Sequence, residues 1–227
     1  MTKTFIISLG GSLIAPKEGI DWKFLKKFRS LILDQIKADK KFYLVAGGGA
    51  TSREYIEAAN KIKTVKNSDL DWLGIHASRL NAHLVKTVFS EQAHQEIIKN
   101  PTIHMHAPEK IVVAGGWKPG WSTDYVAAIV AQEYGAETLI NLSNIDYAYT
   151  KDPKKHKDAK KIEEINWKNF RKIVGNKWKP GLNKPFDPIA SKKAEQLGLR
   201  VIIAGRDLNN LKSILENKKF KGTIISD

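Results

Sequence analysis

The chain has 227 residues, enough for one large domain with a full core or for two lobes sharing a cleft. It carries 38 Lys and Arg against 24 Asp and Glu, a net charge of +14, and no cysteine. Disulfides, thiol catalysis and zinc–thiolate sites are thereby excluded, a cytoplasmic protein is expected, and no apolar run approaches the roughly 18–20 residues of a membrane span.

No signal-peptide pattern opens the sequence. Thr4 to Leu9 is an apolar run that predicts a buried strand, ending at a glycine turn, Gly10-Gly11-Ser12. Asp21 predicts an N-cap for a helix from Trp22 to about Lys37, with Leu25, Phe28, Ile32 and Ile36 on one stripe. A second strand, Phe42 to Ala46, ends in Gly47-Gly48-Gly49, and Thr51 with Glu54 has capping-box spacing at the head of the next helix. A longer helix is predicted from Ser68 to about Phe89. Leu70, Leu73, Ala77, Leu80, Leu84 and Val88 form its apolar side, with Asp71, Ser78, Arg79 and Asn81 set among them. Residues 90–109 give no clear element, and His94, His104 and His106 share no register that suits metal ligation.

Ile111 to Ala114 predicts a third buried strand. It runs into Gly115-Gly116-Trp117-Lys118-Pro119-Gly120-Trp121-Ser122-Thr123-Asp124 and then a buried helix ending at Gly135. Glycines before a helix start leave free N–H groups, hydroxyls and a dipole end together, which suits a phosphate. A strand at Thr138 to Leu142 follows, with Ser143-Asn144-Ile145-Asp146 at its carboxyl end, an irregular segment at 147–153 and a charged surface loop from Lys154 to Lys161. Asn166 caps a short helix ending near Gly175, and residues 176–186 read as a loop suited to covering a site. Asp187-Pro188 starts a further helix, and strands at Arg200 to Ala204 and Thr223 to Ile225 flank a last helix, about Leu208 to Glu216.

Strands alternating with helices imply an α/β fold with a mostly parallel sheet covered on both faces. Ligands in such sheets gather at the carboxyl ends of the strands, where the glycine turns and Ser143-Asn144 fall. No Walker lysine–serine pair and no G-x-G-x-x-G follows these turns, which argues against a P-loop ATPase or an ordinary dinucleotide enzyme. The paired lysines are scattered rather than clustered, so a solvated surface that attracts small anions fits better than a nucleic-acid face.

The glycine loops, with Asn144, Asp146, Tyr149, Asp152 and Pro153 in order, resemble the amino acid kinase superfamily. Arg53, Asp71-x-Leu73-Gly74-Ile75, Ser78-Arg79-x-Asn81-Ala82, Pro119-Gly120-x-Ser122-Thr123-Asp124 and Asp187-Pro188-x-Ala190 are similar to motifs of its archaeal-type uridylate kinases. The likeness runs from residue 4 to residue 225. It implies one three-layer α/β/α sandwich, with an acceptor lobe over about 1–137 and an ATP lobe over about 138–227. It implies ATP-dependent phosphorylation of UMP, with Mg²⁺, in a homohexamer away from membranes and nucleic acid. Gly10, Gly11 and Ser12 would lie beside the transferring phosphates, and Gly48, Gly49 and Arg53 would meet the acceptor phosphate and the reaction centre. Asp71 would read the nucleoside, and Trp117, Lys118, Pro119, Gly120, Trp121, Ser122 and Thr123 would wrap the acceptor. Ser143, Asn144, Tyr149 and Asp152 would hold ATP, with Lys192 reaching its phosphates. Rival readings are another acceptor within the superfamily, a catalytically weak nucleotide-binding regulator, and a basic nucleic-acid binder.

Three departures stand out. Many superfamily members carry a lysine where this chain has Ser8, leaving Lys118, Lys184 and Lys192 as candidate cations. Tyr147 stands where the family usually has glycine. Trp117 and Trp121 add bulk to the acceptor loop, to stack on a ligand or to pack against another subunit.

Overall fold

A computed structural model describes residues 2–153, 155–177 and 184–227. The elements run β1 (Lys3–Leu9), α1 (Gly11–Ile14), α2 (Trp22–Lys37), β2 (Lys40–Ala46), α3 (Gly49–Ile62), α4 (Asn67–Val88), β3 (Ile111–Ala114), α5 (Thr123–Glu133) and β4 (Thr138–Leu142). The chain continues through β5 (Ala148–Tyr149), β6 (Lys161–Ile162), β7 (Glu164–Ile165), α6 (Trp167–Val174), α7 (Pro188–Gln196), β8 (Arg200–Ala204), α8 (Leu208–Leu215) and β9 (Thr223–Ile225).

The main sheet has seven strands in the order β3-β2-β1-β4-β8-β9-β7. All its pairings are parallel except β8 with β9, which is antiparallel. Strands alternate their side chains between two faces, so each face acquires its own core. Ile7, Leu9, Leu44 and Val113 pack with Phe24, Phe28 and Ile32 of α2, Val85 of α4 and Leu211 of α8. Ile6, Val45, Val112 and Ile203 pack on the other face with Val126 and Val130 of α5, Phe170 of α6 and Ala190 of α7. Phe28 is 1% exposed and Phe89 0%, and burying each contributes roughly 2–3 kcal/mol. The α/β/α sandwich expected from the sequence is the fold observed.

Local signals were accurate where they depended on a few neighbouring residues. Asp21 accepts the Phe24 N–H at 2.9 Å and starts α2, and Asn166 accepts the Asn169 N–H at 2.9 Å and starts α6. Four expectations need correction. The Thr51–Glu54 capping box does not form: the N-cap of α3 lies three residues earlier, at Gly48, and no side chain caps the helix. The Ala50 N–H is instead satisfied by Ala15 O at 2.7 Å, on a neighbouring loop. The Gly10–Ser12 turn continues directly into the short helix α1. The irregular segment at 147–153 contains β5, which pairs antiparallel with β6, and β7 adds an unanticipated edge strand beside β9. Finally, α4 is rotated from its predicted face. Leu80 is 64% exposed, whereas Asp71, Ser78 and Asn81 are buried. Most of the 176–186 loop, including Pro180-Gly181, lies outside the described residues.

Candidate active site

Sheet order brings the glycine turns together. β1 lies between β2 and β4, so the turn after β1 touches the ends of both neighbours. Gly10 donates to Leu142 O at 2.8 Å, Gly47 donates to Leu9 O at 3.0 Å, and Ser143 donates to Ala204 O at 2.9 Å. Gly11 packs so closely against Gly47 and Gly49 that a side chain there would occupy their backbone. Gly49 also turns with φ +68°, a conformation that glycine adopts without steric cost. Gly10, Gly11, Ser12, Gly48 and Gly49 therefore converge at the carboxyl edge of the sheet, on the helix starts of α1 and α3.

Arg53 lies exposed on the first turns of α3 and forms no salt bridge among the described residues. Ser143, Asn144 and Asp146 follow β4, and Tyr149 stands half-buried on the β5–β6 hairpin. Asp146 abuts Gly205 at the end of β8, in space that any side chain there would fill. Tyr147, at the family's glycine position, takes the Lys161 ammonium over its ring at 5.1 Å.

The loop after β3 is held from below by one helix. The Ser78 hydroxyl accepts from Gly116 N at 2.8 Å and donates to Ile75 O at 2.7 Å. Arg79 donates from Nε to Gly116 O and from Nη2 to Trp117 O, each at 2.9 Å. Asp71 Oδ2 accepts from Gly120 N at 2.8 Å, and Asn81 donates to Gly47 O at 2.8 Å. Burial pushes the Asp71 carboxyl up, with the Gly120 N–H opposing. Four polar residues on the buried side of α4 thus fix two glycine loops. Their burial is affordable because each finds a backbone partner.

The loop's aromatic groups stack on one another. Lys118 Nζ lies 4.1 Å from the Trp117 ring centre, Trp117 stacks on Trp121 at 6.1 Å, and Trp121 meets Tyr125 at 4.0 Å. Lys118 is therefore engaged on Trp117 rather than beneath the β1 turn. At the end of this stack Ser122 caps α5, accepting from Tyr125 N at 3.1 Å, and Thr123 opens the helix.

Sequence reasoning missed the joint beneath these loops. Ser8 occupies the family's lysine position and donates to Asp124 Oδ1 at 3.0 Å. Asp124 Oδ2 accepts from Asp187 N at 3.3 Å, so one carboxylate links β1, the start of α5 and the start of α7. Asp187 Oδ1 accepts from Ala190 N at 2.7 Å, and its Oδ2 is buried without a hydrogen-bond partner among the described residues. Burial drives the Asp124 carboxyl up. It pushes Asp187 to about 7, with the neighbouring Asp124 adding to the effect. Two carboxyls this close resist carrying two charges. Of the three candidate lysines, Lys184 approaches Ile173 O at 3.5 Å and Lys192 is exposed on α7; no salt bridge joins any of the three to this pair. The helix-start aspartates were visible in the sequence as caps, but their proximity was not.

His94 pairs with Glu109 and His104 with Glu133, each at 2.9 Å. Among the described residues no three His, Asp or Glu side chains form a group able to hold a metal ion, and no helix is long and apolar enough to cross a membrane.

The sequence profile of the amino acid kinase family matches residues 3–205. The chain belongs to the amino acid kinase family. It is 37% identical to a uridylate kinase of Methanospirillum hungatei over 227 residues, covering 98% of this chain and 94% of the relative. It is 34% identical to a uridylate kinase of Pyrococcus abyssi, covering 97% and 98% of the two chains. The crystal structure of uridylate kinase from Archaeoglobus fulgidus superposes with a TM-score of 0.83 at 27% identity, covering 99% and 100%. Within this amino acid kinase scaffold, Ser8 paired to Asp124 marks a site built with a serine at that position of the first strand.

Proposed function

We propose that this chain is an ATP:UMP phosphotransferase, producing UDP and ADP. One observation carries the reading. The turns after β1 and β2 meet at the sheet's carboxyl edge, while α4 fixes the separate loop after β3 in place. That arrangement, in a chain aligned along nearly its whole length with uridylate kinases, suits a phosphate acceptor facing a phosphate donor.

The chemistry requires little beyond positioning. A phosphate monoester has its second pKa near about 6, so UMP already offers an anionic oxygen at neutral pH. The protein must align two repelling anions and screen a loose, charge-spread transition state. Backbone amides of Gly10, Gly11, Ser12, Gly48 and Gly49 would serve the phosphates, with Arg53 as a cation at the reaction centre. Asp71 and the Trp117–Thr123 loop would bind UMP. Ser143, Asn144, Tyr149, Asp152 and Lys192 would bind ATP. On this reading residues 1–137 form the acceptor lobe and residues 138–227 the ATP lobe. Magnesium fits as an ion carried on ATP's phosphates, since among the described residues no three His, Asp or Glu side chains form a group able to hold it. It would supply charge neutralisation of the transferring group.

The activity places the chain in pyrimidine nucleotide synthesis, in the cytoplasm. Trp22, 61% exposed, and Leu80, 64% exposed, leave apolar surface on α2 and α4 that suits contact between copies, in keeping with a hexamer. A coupled ADP-release assay with Mg-ATP tests the activity across UMP, CMP, AMP and isopentenyl phosphate. Turnover is expected with UMP at the highest kcat/KM. Binding of UMP without turnover would leave a regulator, and preference for isopentenyl phosphate would reassign the acceptor.

A further inference from the structure

A cleft of about 700 Å³ opens between the first turns of α2 and α8. None of its lining residues belongs to the site assigned above. Lys23 and Lys27 are four residues apart on α2 and so share a helix face. Lys212 faces them from α8, and Arg206 stands at the junction with β8.

Two acids also line the cleft, and both are already engaged. Asp21 accepts from Phe24 N through Oδ1 and from Arg206 Nη2 through Oδ2, each at 2.9 Å. Asp207 caps α8 by accepting from Asn209 N at 2.9 Å. Lys23 and Lys27 form no salt bridge among the described residues, and Lys212 meets only Glu216, at 3.9 Å. Lys23 lies 5.7 Å from the Trp22 ring centre, a contact that leaves its charge uncompensated. Cations sharing one concave surface repel one another, and a single multivalent anion relieves all of those repulsions together. Phe24, buried, and Leu31 and Leu208, half-buried, supply an apolar floor beneath the charged rim.

We propose that this cleft binds a phosphate chain, either as free oligophosphate or as the phosphate tail of a nucleotide. Three ammonium groups spread around the opening, beside a guanidinium paired with Asp21, match a chain of phosphates better than one compact phosphate. The floor offers room for a base if the chain carries one. The site is separate from the one that binds ATP and UMP for catalysis, and its existence does not depend on that reading.

Isothermal titration of the full chain with tripolyphosphate tests it at about 100 mM salt, where the screening length is about 10 Å and distant charges contribute little. Two classes of site are expected in the native protein. The double variant Lys27→Glu/Lys212→Glu should lose one class, weakened by at least about tenfold, while its turnover stays at the native level. A control of equal charge change on α6, Lys168→Glu/Lys172→Glu, should keep both classes. The milder Lys27→Ala/Lys212→Ala pair should weaken the same class if the reversal disturbs folding. Equal weakening in cleft and control variants would mean only the general positive field, and survival of both classes in the cleft variants would place binding elsewhere; either result overturns the proposal. Repeating the titration with UTP identifies the source. Tighter cleft-dependent binding of UTP than of tripolyphosphate assigns a nucleotide, and equal binding assigns the phosphate chain alone.

Discussion

The two halves of the candidate site are built by different means. On the proposed acceptor side, the loop after β3 is tied by side chains of α4, through bonds between residues 37 to 49 positions apart in sequence. On the proposed donor side, the segment after β4 is tied through its own backbone, with Ser143 N on Ala204 O and Ala148 N on Thr223 Oγ1 at 2.8 Å. Asn144 and Asp146 remain exposed. Side-chain anchoring gives a loop one geometry and makes that geometry vulnerable to single substitutions. Backbone anchoring tolerates substitution and leaves side chains free to meet a ligand. The Asp124 carboxylate links the two halves, through Ser8 and the start of α7.

Breaking that link should have the largest effect. Asp124→Ala strands the Ser8 hydroxyl and the Asp187 N–H in the interior, at a cost of roughly 1–3 kcal/mol for each unpaired group. Turnover should fall by about two orders of magnitude or more, because small displacements of reacting groups have costs of that size. The Michaelis constants for UMP and ATP should both move, since both halves lose their common support. Steady-state kinetics with thermal unfolding would check this, and a change confined to one substrate would deny Asp124 its bridging role.

Arg79→Ala should separate the halves. It removes two charge-assisted bonds to the loop, each worth roughly 1.5–3 kcal/mol. The Michaelis constant for UMP should rise by about 30-fold, and that for ATP should stay within about twofold. Equal changes in both would show that α4 supports the whole site rather than its acceptor side.

A smaller and more discriminating effect is expected from Asp71→Asn. The asparagine oxygen can still accept the Gly120 N–H, so the loop should stay in place. If Asp71 also reads the nucleoside, the Michaelis constant for UMP should rise by about tenfold, the order of one lost charged hydrogen bond. An unchanged constant would restrict Asp71 to holding the loop.

The smallest effect concerns pH. The folded-state pKa of Asp187 is about 7, above the usual carboxylate range. The folded protein therefore holds a proton that the unfolded chain releases, and stability should decline as pH rises from about 4 to about 7. Asp187→Asn keeps a capping oxygen but removes this titration. It should flatten that decline, measured as denaturant midpoints across the window. Part of the slope should persist, because burial raises Asp124 in the same direction. A slope unchanged by the substitution would mean that Asp187 is ionised in the folded protein.

Much of this molecule is written in short stretches of sequence. Apolar runs predict β1, β2, β3, β4, β8 and β9, and the caps at Asp21, Asn166 and Asp187 start helices as expected. Four polar or glycine-rich strand ends also announce a ligand-binding edge before any coordinates are known. The Thr51–Glu54 pair shows the limit of such signals, because a contact from Ala15 moved the helix start. The rotation of α4 shows it again. Leu73 and Leu80 complete a plausible stripe, yet the helix buries Asp71, Ser78 and Asn81 because the loops beside it offer backbone partners.

Propensities, caps and periodicities act over a few residues, so the order of elements, the glycine turns and the family likeness could all be read directly. Burial of a polar side chain depends on what lies opposite it in space. The Asp124–Asp187 contact spans 63 positions and the Arg206–Asp21 pair 185. Neither exists until the sheet has assembled in the order β3-β2-β1-β4-β8-β9-β7. Which carboxyls hold protons, which lysines share a cleft and which face of α4 turns inward follow from that assembly, because desolvation and charge proximity are properties of packed neighbours.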